Sequence, residues 1–183
     1  MKRETLWSEY VWSDDIHEVN FKKIIEYSYS LKSKFIGRQV SNRGGWQSDF
    51  IGDGECDEID NLKPILNDKV NEIIEPGQKK VFAHSTWINI NPPNSFNIPH
   101  IHPATEFSAV FYIKSNETMG NICFVRRNVS EDILKYKQDV NICERPSITG
   151  KLYVFDGLLT HYVEKNLSDE DRISIAFNFL TYD

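Results

Sequence analysis

The chain has 183 residues and sets 21 lysines and arginines against 27 aspartates and glutamates, a formal net charge of −6. One domain's length with 40% hydrophobic and 13% aromatic residues excludes a disordered chain. The acidic balance argues against nucleic acid as the main partner, because phosphate contacts need a basic surface.

No run approaches the ~18–20 apolar residues of a membrane helix, so no membrane partner is expected. The opening MKRETLWSEYVWSDD lacks the apolar segment of a secretory signal. Cys56, Cys123 and Cys143 are odd in number and far apart, which fits reduced thiols in a cytoplasm rather than a disulfide framework.

In chain order, Ile16 to Lys32 carries apolar residues at near-helical spacing, with Asp14 and Asp15 placed to cap the helix and charge its first turn. A Gly-rich stretch, SNRGGWQSDFIGDGE, cannot stay regular for long. A second helix fits between Glu58 and Ile74, with Pro64 kinking it or marking its first turn and Pro76-Gly77 ending it. From Val81 the texture changes to short alternating strands: Val81–Asn91, Ile98–His102, Phe107–Lys114, Asn121–Arg126, Gly150–Phe155, His161–Glu164 and Arg172–Leu180. Ser130–Gln138 reads as a short helix or an insertion. The expectation is one domain over 1–183, α+β but mainly β. A helical part over 1–80 would pack on a jelly-roll barrel over 81–183.

Histidines are few, at His17, His84, His100, His102 and His161. His100 and His102 stand two apart, so on an extended strand both imidazoles face one way and can reach one ion. Pro99 and Pro103 bias that stretch toward extended backbone. His161 follows a predicted strand and offers a third imidazole. On Arg172-Ile173-Ser174-Ile175-Ala176-Phe177-Asn178, alternation puts Arg172, Ser174, Ala176 and Asn178 on one face, and an arginine with a small hydroxyl residue there suits an anion pocket. His17 reads as a surface residue, His84 has no partner at ligand spacing, and Cys123 reads as a buried small apolar residue.

The order His-x-His, Ser-Ala-Val-Phe-Tyr, Pro-x-x-x-Gly, Phe-x-x-x-Leu-x-His and Arg-Ile-Ser-Ile-Ala-Phe-Asn resembles the 2-oxoglutarate/Fe(II)-dependent oxygenases of bacteria and bacteriophages. The matching stretches are Ser85–Asn91, His100–Tyr112, Pro146–His161 and Arg172–Asn178, and Ser41–Ser48 resembles that family's N-terminal signature. The resemblance implies a double-stranded β-helix with Fe(II) at its mouth and 2-oxoglutarate and O₂ as cosubstrates. It implies hydroxylation of a substrate C–H bond with release of succinate and CO₂. If the chain is phage-encoded, its cytoplasm is that of the host.

Carried over, the resemblance gives His100 and His161 the two histidine positions of a metal triad. The usual pattern has a carboxylate where this chain has His102. Three readings follow: His102 ligates directly, which its spacing from His100 favours; Glu106 bends back to ligate; or one neighbouring histidine supports its partner. The same resemblance pairs Arg172 with the distal carboxylate of 2-oxoglutarate, beside Ser174. Strand alternation makes Tyr112 a second donor to that carboxylate if it faces the barrel interior. Trp87 and Asn89 share a face and are candidates for the substrate pocket. Gly37 to Gly54 and Arg127 to Ser147 are candidate lids.

Two other readings stand behind this one. A metal cupin with a different activity fits His100-x-His102-x-x-x-Glu106, but Ile113 stands where its glycine belongs, its closing motif is off register at Asp156-Gly157, and Arg172 is left without a task. A non-catalytic jelly-roll binding protein need not keep His100, His161 and Arg172 together. The substrate class stays open between small molecules and peptidyl side chains, and edge strands leave pairing into a homo-oligomer open.

Overall fold

Side-chain alternation along the strands decides the architecture. The structure, a computed structural model, describes residues 8–126 and 142–181. In chain order its elements are β1 (Val11–Asp15), α1 (Phe21–Lys34), β2 (Asn42–Arg43), β3 (Trp46–Gln47), α2 (Asp57–Glu72), β4 (Val81–Asn91), β5 (Phe96–His100), β6 (Phe107–Lys114), β7 (Ile122–Val125), β8 (Ile142–Arg145), β9 (Lys151–Asp156), β10 (His161–Val163) and β11 (Arg172–Thr181). They make a larger sheet in the order β1-β9-β6-β11-β4-β3 and a smaller one in the order β2-β5-β10-β7-β8. Every strand pair is antiparallel. This is a double-stranded β-helix with two helices on the back of its larger sheet.

The larger sheet has a dry face and a polar face. Ile173, Ile175, Phe177 and Phe179 of β11 are fully buried and join one apolar core with Ile24 of α1 and Ile59, Leu62, Leu66 and Val70 of α2. The α2 residues recur three and four apart, the stripe by which a helix covers a sheet. Pro64 lies inside α2 on its exposed side, where its missing N–H is least costly. Between the sheets a smaller apolar cluster includes Val110, Tyr112, Phe124, Tyr153, Phe155 and Leu159. A bulge in β4 opposes Asn178/Phe179 of β11: Asn178 pairs with Ser85 and Phe179 with Ala83, so His84 is the extra residue.

Several expectations need correction. Asp14 and Asp15 do not cap α1; they lie in β1 and pair with Lys69 and Lys151. The helix starts at Phe21, where Asn20 Oδ1 accepts the Lys23 N–H at 3.2 Å. Residues before position 80 are not only helical, since β1 and β3 edge the larger sheet and β2 edges the smaller. The strand expected over Ile98–His102 runs instead over Phe96–His100. His102 follows it in a turn where Ala104 adopts φ 61°. Ser130–Gln138 lies outside the described residues.

Candidate metal centre and its cavity

The smaller sheet and the turn after β5 bring the three histidines together. His100 ends β5 and His161 opens β10, and the two are paired residues in the smaller sheet. Their ring centroids are 4.3 Å apart, and those of His102 and His161 are 5.1 Å apart. One ring nitrogen of each of His100, His102 and His161 lies within 4.8 Å of the others. His102 reaches the cluster from a turn rather than from the strand. Its N–H donates to Gly157 O at 2.7 Å, and Gly157 sits so close that a Cβ there would stand 2.4 Å from Thr105 Cγ2. A glycine is therefore required where the β9–β10 connection presses on the histidine turn.

Each ring has its Nδ1 occupied by an acceptor: Ile98 O for His100 at 2.7 Å, Leu159 O for His161 at 2.9 Å, and Asn178 Oδ1 for His102 at 2.9 Å. A carbonyl accepts only, so Nδ1 carries the proton and Nε2 keeps its lone pair. Burial lowers all three imidazoles from their ordinary range, His102 to about 4 and His161 to about 3, with the neighbouring His100 adding to both shifts. All three rings are therefore neutral near pH 7, the form in which a histidine binds metal. Glu106 is not in the cluster: it is exposed and its Oε1 accepts the Thr181 hydroxyl at 3.1 Å.

The cluster opens into a cavity of about 230 Å³ between the sheets, lined among others by Trp87, Asn89, Tyr112, Arg172, Ser174 and Asn178. That is several times the ~30 Å³ share of a water molecule. Arg172 is 1% exposed and its Nη1 donates to the Met119 and Glu164 main-chain oxygens. Its Nη2 has no partner, and neither has the buried Tyr112 hydroxyl. Burial, partly offset by Arg172, pushes the Tyr112 phenol far above its ordinary range, so it stays a donor. Two unsatisfied donors in one cavity are the mark of a site made for an acceptor, because a buried polar group without a partner is costly.

Trp87 lies against the metal cluster, its ring stacked on His102 at 5.6 Å and met edge-on by Phe50 at 6.0 Å. Phe50 comes with Arg38, Val40, Ser41 and Gln47 from the candidate lid at 37–54, so this segment does line the cavity. Buried Asn42 organises it, donating to Arg38 O and Gly45 O and accepting the Val40 N–H. The second candidate lid lies largely outside the described residues; its Ile142, Cys143 and Arg145 line a separate cavity. Sequence reading gave no role of their own to Asn178, to Ser108, whose hydroxyl donates to Asn178 Oδ1, or to Gln47 and Phe50 within the candidate lid. For Asn178 a signal existed, its place on the same face of β11 as Arg172 and Ser174.

Among the described residues one other group has metal-like spacing, Cys123, Glu144 and Glu164. Burial pushes the Cys123 thiol up to about 11, and both carboxylates already accept hydrogen bonds from Asn121, so it does not look like a ligand set.

A sequence model of the family described as "Putative 2OG-Fe(II) oxygenase" matches residues 85–178, half of the chain and all of the histidine cluster. The chain belongs to the 2-oxoglutarate/Fe(II) oxygenase family. Comparison with curated protein sequences finds no match. Solved structures share the fold of this oxygenase at low identity. A prolyl-4-hydroxylase from Pseudomonas putida is 14% identical with a TM-score of 0.65, covering 94% of this chain and 93% of its own. A prolyl hydroxylase from Trichoplax adhaerens, in complex with a hypoxia inducible factor peptide fragment, is 12% identical with a TM-score of 0.71, covering 93% and 83%. A viral collagen prolyl hydroxylase from Paramecium bursaria Chlorella virus-1, in a 2OG complex, is 14% identical with a TM-score of 0.60, covering 94% and 97%.

The family's cofactors are Fe(II), 2-oxoglutarate and O₂, and the residues present fit them. Three neutral imidazoles with free lone pairs suit a divalent ion. The orphaned Arg172 Nη2 and Tyr112 hydroxyl offer the donors a carboxylate needs. No helix among the described residues is long and apolar enough to cross a membrane.

Proposed function

We propose that this oxygenase hydroxylates a C–H bond, with His100, His102 and His161 holding Fe(II) and Arg172, Tyr112 and Ser174 holding the distal carboxylate of 2-oxoglutarate. The observation that carries the reading is the pair of unpartnered buried donors, Arg172 Nη2 and Tyr112 Oη, in the cavity that the three imidazoles enter. When bound, Fe(II) with 2-oxoglutarate and O₂ supplies the oxidising chemistry that releases succinate and CO₂. The protein's own residues do the rest. The main-chain oxygens of Ile98 and Leu159 and the Asn178 amide hold the rings in one tautomer. Arg172 and Tyr112 orient the acid and cover it from water, and Trp87, Phe50 and Asn89 form the wall on which substrate rests. Glu106 is left out of the ligand set because its carboxylate serves Thr181.

The substrate is a small molecule or a peptidyl side chain, and the prolyl hydroxylases among the similar structures support the latter. The net charge of −6 speaks against duplex nucleic acid. The test adds Fe(II) and then 2-oxoglutarate to metal-free protein under anaerobic conditions and follows the visible spectrum. A charge-transfer band that is lost in His161→Ala and weakened in Arg172→Ala is expected. Metal binding without any such band would transfer the site to a cupin-like activity.

A further inference from the structure

Neutral groups alone support the three imidazoles. His100 and His161 each donate from Nδ1 to a main-chain oxygen of their own segment. His102, lying beyond the end of β5, takes its acceptor from the other sheet: Asn178 Oδ1, which also accepts the Ser108 hydroxyl at 2.9 Å. Two donors on one oxygen fix which way the amide points and therefore fix the tautomer of His102. An aspartate of the same shape at 178 would accept both bonds and add a negative charge. The chain has the amide instead.

The neighbourhood adds no acid. The Glu106 carboxylate is turned to Thr181, and none of the described residues lining the cavity is Asp or Glu, whereas Arg38 and Arg172 both line it. A divalent ion among three neutral rings therefore keeps its full double charge, with a buried guanidinium in the same cavity. Unbalanced charge in a partly desolvated site is expensive, and an incoming dianion relieves it at two points at once, one carboxylate by the ion and the other by Arg172.

We propose that Asn178 is a positioning residue that fixes His102 without adding charge, and that this neutral support makes the linkage between the divalent ion and the dicarboxylate cosubstrate stronger than it would be with an acidic residue at 178 or 102. Each is bound weakly alone and much more tightly with the other. The proposal rests on the assignment of the three histidines and Arg172 made above. Linkage requires the same tightening factor whichever of the two is added first.

The test measures Mn(II) affinity of the full chain by the electron paramagnetic resonance signal of free Mn(II), with and without saturating 2-oxoglutarate. It compares the parent protein with Asn178→Asp, Asn178→Ala and His102→Asp. In the parent, 2-oxoglutarate tightens Mn(II) at least tenfold, and Mn(II) tightens 2-oxoglutarate by the same factor. Asn178→Asp and His102→Asp bind Mn(II) more tightly alone, and their coupling factor falls several-fold. Asn178→Ala frees the ring without adding charge, so it weakens Mn(II) under both conditions and keeps the coupling. Coupling as large in Asn178→Asp as in the parent, or Mn(II) bound with no coupling at all, overturns the proposal while leaving the metal site standing. No Mn(II) binding under either condition overturns the metal assignment and this proposal with it. Should His102→Asp lose its circular dichroism spectrum, Asn178→Asp alone decides.

Discussion

The two faces of β11 carry opposite kinds of residue for opposite ends. Ile173, Ile175, Phe177 and Phe179 face α1 and α2 and are fully buried in a dry core. Arg172, Ser174 and Asn178 face the cavity, where a guanidinium nitrogen is left without a partner. One face holds the sheet rigid; the other accepts an energetic cost in order to bind. The difference teaches that stability and ligand affinity should separate cleanly by face, even between adjacent residues of one strand.

The largest expected effect breaks the dry face. Leu66→Ala removes a fully buried side chain from the core shared by α2 and β11 and should cost ~2–5 kcal/mol in urea unfolding. In the folded fraction, calorimetry should find 2-oxoglutarate affinity unchanged. A loss of affinity as large as the loss of stability would erase the distinction between faces.

Arg172→Met acts on the other face. Removing hydrogen bonds to a charged acid should weaken 2-oxoglutarate binding by ~1.5–3 kcal/mol, roughly tenfold to a hundredfold. The metal-free protein should lose much less stability than with Leu66→Ala, because the lost Nη1 bonds to the Met119 and Glu164 oxygens are offset by removal of a buried charge whose Nη2 has no partner. A drop in melting temperature like that of Leu66→Ala would show Arg172 to be part of the core instead. Tyr112→Phe is the finer probe. It deletes one neutral donor and should cost ~0.5–1.5 kcal/mol of 2-oxoglutarate affinity at constant metal affinity.

A different kind of effect is a slope with pH. Burial lowers His102 from 6.5 to about 4, so as pH falls below 6.5 the unfolded chain takes up the proton before the folded one does. Metal-free protein should therefore lose stability between pH 6.5 and 4, with no contribution from this group above 6.5. Melting curves of parent and His102→Gln at several pH values should show a shallower decline in the variant.

Much of this contrast was legible in the residues. The alternation of β4, β6 and β11 fixes which side chains share a face, and the observed β4 and β6 begin and end at the expected residues. His100, His161, Tyr112, Arg172 and Ser174 all line the cavity that those patterns point to. What escaped notice has little pattern to show. Three of the five residues of β1 are exposed polar ones, β2 and β3 are two residues each, and β8 is exposed throughout, so none carries an alternating apolar signal. The supporting role of Asn178 depends on a contact with His102 across 76 positions, which local spacing cannot reveal.

The bulge at His84 has one more consequence. With a single unpaired residue there, Trp87, Asn89 and Asn91 line the cavity while Val81 and Ala83 pack into the helix-side core. Strand β4 thus changes phase along its length. Deleting His84 would restore strict alternation and leave Ala83 opposite Phe179 with Val81 and Ala83 still on the core face, whereas drawing His84 into the ladder at unchanged length would turn both to the wrong face; adding a residue to the exposed 75–80 connection would turn nothing. Tolerance to a length change in this stretch is therefore a matter of parity, set by whether the residue gained or lost is one that the ladder pairs.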